Sequence, residues 1–219
     1  MMLEAESQFT LTPSLVPRHD PLRPAATALL VIDLQVGFVE EGQLLALPAA
    51  AAILPGVNDL VRVFRRAGAV VAFTRHTVTD SGPCALPEWL SADPWSVRVA
   101  PLLASGAPAH GLSSSLDTAP QDLVVDKFRA SAFNRRSSDL DAQLQARGID
   151  TIVITGCVTN ICCESTARDG HMLGYRTIVV SDLTAARTSE EQDAALLNLG
   201  VAFANICTAE EVCARLAGA

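Results

Sequence analysis

Positive charge, aromatic side chains and long apolar runs are all scarce in this sequence. Acidic residues outnumber basic ones by 24 to 16, for a formal net charge of −8. Such a chain lacks the basic surface that attracts nucleic acid or anionic lipid, so neither is expected as a partner. Aromatic residues make up 5% of the 219 residues, which leaves few rings for a stacking platform. The longest purely apolar runs, such as residues 49–54, are far shorter than the ~20 residues a membrane-spanning helix needs. The first twelve residues carry two glutamates, no basic residue and no apolar centre, unlike a secretory leader. No two cysteines stand in a C-x-x-C pair. The six, at positions 84, 157, 162, 163, 207 and 213, form neither a disulfide framework nor a zinc-ligand spacing. Reduced thiols in a cytoplasmic protein, with no metal and no cofactor, are therefore expected.

Apolar residues are abundant, at 49% with only 18% charged. That suits one well-packed domain of this length. Residues 1–25 hold Pro13, Pro17, Pro21 and Pro24, a density that keeps a chain extended. An arm lying on the surface or on a neighbouring subunit is expected there, followed by a single domain over 26–219. Residues 28–33 (ALLVID) form a nearly continuous apolar run, the pattern of a buried parallel strand. Further strands are expected at 69–75, 122–126, 151–155, 177–181 and 204–207. Helices are expected from Pro55 to Gly68, at 139–147, at 160–173 and at 210–216. Another is opened by Ser189-Glu190-Glu191-Gln192, which has the pattern of a capping box. Residues 80–120, rich in Pro, Gly, Ser and Ala, read as an excursion over the sheet. Strands alternating with helices imply an α/β fold, a three-layer α/β/α sandwich on a mostly parallel sheet of about six strands. In such a sheet the active site lies at the carboxyl ends of the strands.

Asp33 ends the first strand, Lys127 follows the third, and Cys162 follows the fourth. All three can meet at that edge. An ammonium beside a thiol favours the reactive thiolate, and a carboxylate can take the thiol proton and return it to a leaving amine. Cys162 also lies near a helix N-terminus, where free N–H groups favour a thiolate and can hold an oxyanion. A lowered thiol pKa is the expectation.

The segments VIDLQVGF at 31–38, KFRASAF at 127–133 and TGCVTNICCESTARDG at 155–170 resemble, in order, the signature segments of the isochorismatase-like cysteine hydrolases. The resemblance implies Asp33 as base, Lys127 as activating cation and Cys162 as nucleophile. It implies a cis peptide at Cys157–Val158, and an oxyanion hole formed by the backbone N–H groups of Val158 and Cys162. Isochorismatases proper lack a cysteine at the position of Cys162, so its presence points to C–N cleavage. The nicotinamidase branch carries an Asp/His metal cluster after the second strand. Here His76 and Asp80 alone are a weak metal pattern, and His76 reads as a pocket-wall or supporting residue. The segment around Cys162 is most similar to ureidoacrylate and biuret hydrolases, which implies a small amide, ureido or carbamoyl substrate. Lactam hydrolysis and isochorismatase-type chemistry are the alternatives on the same fold, and a homo-oligomer, dimer or tetramer, is expected. Phe38, Trp89, Trp95 and Phe133 are candidate pocket walls, Phe133 equally a core residue. Arg129 is a candidate partner for a substrate carboxylate or a solvent-facing cation. The adjacent thiols of Cys162 and Cys163 also allow a reading of a different class, a thiol redox sensor.

Overall fold

The apolar runs form strands buried on both faces, as a parallel sheet covered by helices requires. The computed structural model describes residues 21–218; of the expected arm, residues 1–20 lie outside the described residues. Pro24–Ala26 form a short 3₁₀ turn leading into β1 (Thr27–Ile32), in which all six residues are buried. There follow α1 (Val36–Val39), α2 (Pro48–Arg66), β2 (Val70–His76), α3 (Glu88–Ser91), α4 (Pro94–Val99), β3 (Leu123–Lys127) and α5 (Leu140–Gln145). The second half comprises β4 (Thr151–Cys157), α6 (Glu164–Met172), β5 (Arg176–Ala185), α7 (Ser189–Ala202), β6 (Asn205–Cys207) and α8 (Ala209–Ala217).

The six strands form one sheet in the order β3-β2-β1-β4-β5-β6, every pairing parallel. The chain winds outward from β1 to β3, then returns to the other side of β1 with β4. The order thus reverses between β1 and β4, and clefts open at the carboxyl ends of strands at such a switch point. Alternate side chains feed two cores. Leu29, Val31, Phe73, Val153 and Ile178 pack with Val57, Val61 and Phe64 of α2 and Val212 of α8. Leu30, Ile32, Ile152, Ile154 and Val179 pack with Leu140 and Leu144 of α5, Ala167 of α6 and Leu199 of α7.

Two helix starts away from the strand ends differ from expectation. α2 begins at Pro48, and Pro55 lies inside it. The alanines at 49–52 are strong helix formers, Pro48 suits a first helical position, and the buried face of Leu54, Val57, Leu60 and Phe64 outweighs the one ladder bond that Pro55 forgoes. At Gly56 a Cβ would stand 2.5 Å from Leu183 Cδ2, so the helix crosses β5 at close range there. α7 is capped by Thr188, whose hydroxyl accepts from Glu191 N. Glu191 reaches back to Arg187, not to a Ser189 box.

Candidate active site

The site is assembled where β1, β2, β3 and β4 end. Asp33 follows β1 with φ +51°, a left-handed conformation that aspartate tolerates better than most residues. Its N–H donates to Thr74 Oγ1 at 3.2 Å, and the same hydroxyl donates to Asp33 Oδ1 at 2.6 Å. Thr74, fully buried in β2, therefore fixes both the backbone and the carboxylate. Behind Asp33, Gly156 of β4 takes φ +108°, and a Cβ there would sit 2.1 Å from the Ile32 carbonyl oxygen. Only glycine lets β1 and β4 close at this point.

Lys127 is the only lysine in the sequence; the other fifteen of the 16 lysine and arginine residues are arginines. It ends β3 and is wholly buried. Its Nζ lies 2.7 Å from Asp33 Oδ2, 3.1 Å from His76 Nδ1, 3.1 Å from the Arg129 carbonyl oxygen and 3.3 Å from Cys162 Sγ. An ammonium has three protons, so four acceptors compete for them. Burial disfavours the charge, but Asp33 and Cys162 together outweigh it and hold the Lys127 pKa above its ordinary value. Asp33, His76 and Cys162 each bring a potential metal-ligating atom within 4.8 Å of the others. The Lys127 ammonium pairs with Asp33 at 2.7 Å and lies 3.1 Å from His76 Nδ1 and 3.3 Å from Cys162 Sγ, so a positive charge already stands against all three.

The peptide bond Cys157–Val158 is cis. Beyond it the chain makes one wide turn, Thr159–Cys163, before α6 begins. The N–H groups of Ile161 and Cys163 both donate to the Val158 carbonyl. This π-type turn, in place of the regular helical start expected from residue 160, sets Cys162 over the sheet edge beside Lys127. Cys163 points elsewhere: it is fully buried, with its thiol toward the Thr155 carbonyl.

The thiol of Cys162 departs from expectation. Burial pushes its pKa up to about 12; Lys127 pulls it down, and Asp33 pushes it up again. Desolvation outweighs the cation, so the resting group is a neutral thiol that a base must deprotonate. Alkylation by iodoacetamide should therefore rise about tenfold per pH unit from pH 7 to 9 without a plateau, because thiolate fraction scales that way below the pKa. Lys127→Ala should slow it at every pH. A plateau near neutral pH in a mass-resolved assay of Cys162 would show a thiolate at rest.

Cys162 opens onto a cavity of about 400 Å³ whose walls include Phe38, Leu44, Leu47, Trp95, Ile161 and Arg187. Of the candidate walls, Phe38 and Trp95 line it. Trp89 stands 76% exposed on α3, and Phe133 is buried against Tyr175 with ring centroids 5.3 Å apart; neither lines this cavity. Arg129 donates to the carbonyl oxygens of Cys84, Ala85 and Phe128, so its guanidinium ties down the 84–85 loop rather than facing solvent. Thr74, Gln35 and Arg187 are additions that sequence reasoning did not reach. Gln35 is fully buried, and its side-chain amide accepts from His76 N at 2.6 Å and donates to the His76 and His110 carbonyls. A polar residue two places beyond Asp33 was the available signal.

Residues 27–211 match the model of the Isochorismatase domain. The ureidoacrylate amidohydrolase RutB of Pseudomonas syringae pv. syringae (strain B728a) is 33% identical over 214 residues, covering 90% of this chain and 86% of that protein. Nicotinamidase 3 of Arabidopsis thaliana is 32% identical over 207 residues, covering 92% and 93%. Among solved structures, a cysteine hydrolase from Pseudomonas syringae pv. phaseolicola 1448A superposes with a TM-score of 0.82 at 31% identity, covering 90% of this chain and 95% of that one.

Proposed function

This chain belongs to the isochorismatase-domain family and is an amidohydrolase acting on carbon–nitrogen bonds, and from that premise we propose that it cleaves small ureido or carbamoyl compounds, ureidoacrylate among them, through a thioester on Cys162. The observation that carries this reading is the single buried ammonium of Lys127, held 2.7 Å from Asp33 and 3.3 Å from the Cys162 sulfur at the wall of one cavity.

As Cys162 sulfur attacks the substrate carbonyl carbon, its proton passes to Asp33. The carbonyl oxygen, now negative, is taken by the N–H groups of Val158 and Cys162; one such donor is worth about 3–4 kcal/mol. Collapse breaks the C–N bond, and Asp33 delivers the proton to the departing nitrogen. Water then attacks the thioester, giving its proton to Asp33, and the C–S bond breaks with the sulfur recovering that proton. Lys127 stays charged throughout, offsetting the negative charge that moves between sulfur and carboxylate. The raised thiol pKa fits this scheme, since a neutral thiol must give up its proton to the carboxylate as it attacks.

The redox reading finds less support. Cys163, the partner it needs, is buried toward Thr155 and its thiol pKa is pushed well above the ordinary value by burial, whereas sensor thiols are accessible and acidic. We further propose a cytoplasmic homo-oligomer, the outward Leu197 and Val201 of α7 offering apolar surface to a second copy.

Ammonia release across ureidoacrylate, N-carbamoyl amino acids, nicotinamide and small lactams tests the substrate class. Fastest turnover of a ureido or carbamoyl compound is expected. Preference for nicotinamide or a lactam would move the substrate assignment to that branch.

A further inference from the structure

Resting on the reading of the Cys162 cavity as the active site, we propose that His76 is a substrate-positioning residue, donating its Nε2–H to a carbonyl or carboxylate oxygen of the substrate. Three observations lead there. Nδ1 of His76 faces the Lys127 Nζ at 3.1 Å. An ammonium only donates, so Nδ1 must be the acceptor and carry no proton. The ring is also neutral near pH 7, because burial and the Lys127 charge hold its pKa down at about 4. A neutral imidazole has one ring proton, which is thereby assigned to Nε2.

That donor has no acceptor among the described residues. The ring lines both the Cys162 cavity and an adjoining cavity of about 210 Å³. The two share Trp95 and Val99 of α4 as well, so His76 stands at their junction. Its backbone is held by Gln35 on both the N–H and the carbonyl side. The ring is thus aimed, fixed in tautomer and short of one partner. The donor opens onto the cavities, where a ligand oxygen can accept its proton in place of water. The neutral Nε2–H is too weak an acid to serve as a proton carrier, so its role is to orient the substrate.

Two near-isosteric changes separate this role from mere support of Lys127. In His76→Asn the side-chain oxygen can keep the place of Nδ1 and the contact with Lys127, but the distal donor is gone. In His76→Gln the amide nitrogen reaches toward the place of Nε2, and the acceptor for Lys127 is lost. With ureidoacrylate as probe, kcat/KM should fall roughly tenfold in the asparagine variant, mainly through KM, and stay within about threefold in the glutamine variant, the span of one neutral hydrogen bond. The reverse order, equal losses or no loss in either would overturn the proposal. Nitrogen-15 NMR of the resting enzyme at pH 7 should show His76 protonated at Nε2 alone; a proton on Nδ1 overturns it whatever the turnover. If the unaltered enzyme does not hydrolyse ureidoacrylate, it is the substrate assignment that fails, and the two variants are compared on the amide with the fastest ammonia release.

Discussion

Replacing Cys162 by alanine is expected to abolish hydrolysis, a fall of about 10⁵-fold or more, as for removal of a catalytic nucleophile. The fold should survive, because the loss is one sulfur atom at the edge of a core that Ile32, Ile154 and Ala167 still fill. Cys163→Ala should give the opposite pattern. Adjacent residues of the wide turn point in different directions, and the Cys163 thiol faces the Thr155 carbonyl rather than Lys127. Its loss should cost stability of about 1–2 kcal/mol from a small buried cavity, with turnover within roughly an order of magnitude of the unaltered enzyme. Ammonia release and denaturant unfolding on both variants measure the two effects. Equal loss of turnover with both proteins folded would mean that the nucleophile has been assigned to the wrong thiol.

Asp33→Asn should reduce turnover about 10⁴-fold or more, the scale on which replacing a catalytic aspartate by its amide acts. Asparagine keeps the size and can keep the Thr74 contact, but it cannot accept the Cys162 proton or return one to the leaving nitrogen. A second consequence follows from burial. Lys127 is fully enclosed, and Asp33 is the carboxylate at 2.7 Å from its ammonium. Removing one partner of a buried pair leaves an uncompensated charge, at a cost of about 3–5 kcal/mol. The double variant Asp33→Asn/Lys127→Met should regain much of that stability and none of the turnover. Substrate affinity should persist in Asp33→Asn, because the walls of the cavity are untouched. Near-normal turnover in Asp33→Asn would assign the proton to another group; a double variant no more stable than the single one would show that the pair is not what Lys127 depends on.

Much of the architecture was legible in local pattern. Residues 28–32, 151–155 and 177–180 read as strands because burial on both faces leaves an uninterrupted apolar run, and no tertiary knowledge is needed to see it. The order of strands and helices then implied a parallel sheet with Asp33, Lys127 and Cys162 at one edge. Element starts were less legible. Pro55 reads as a helix opener, yet it lies within α2, because the buried face beyond it and the alanines before it outweigh one missing hydrogen bond. Likewise Ser189 is the better cap by residue type, yet the hydroxyl that accepts from Glu191 N is that of Thr188.

The sequence by itself determined the sheet, the strand ends and the three residues that meet there, because each of these follows from neighbours along the chain. Only the tertiary structure decided how those residues behave. Whether Phe133 walls a cavity or stacks on Tyr175 depends on what lies across from it, and the side chain is the same in both cases. The donors of Arg129 went to carbonyls of the 84–85 loop, more than forty residues away in the chain. Thr74 and Gln35 became supports of Asp33 and His76 through contacts that span 41 positions. The protonation of Cys162 is the clearest case. Lys127 and a nearby helix start both favour a thiolate, but the pKa reflects everything that excludes water from the sulfur, and burial contributed by several elements at once raises it. Desolvation is a property of the packed surroundings, which no local stretch of sequence contains.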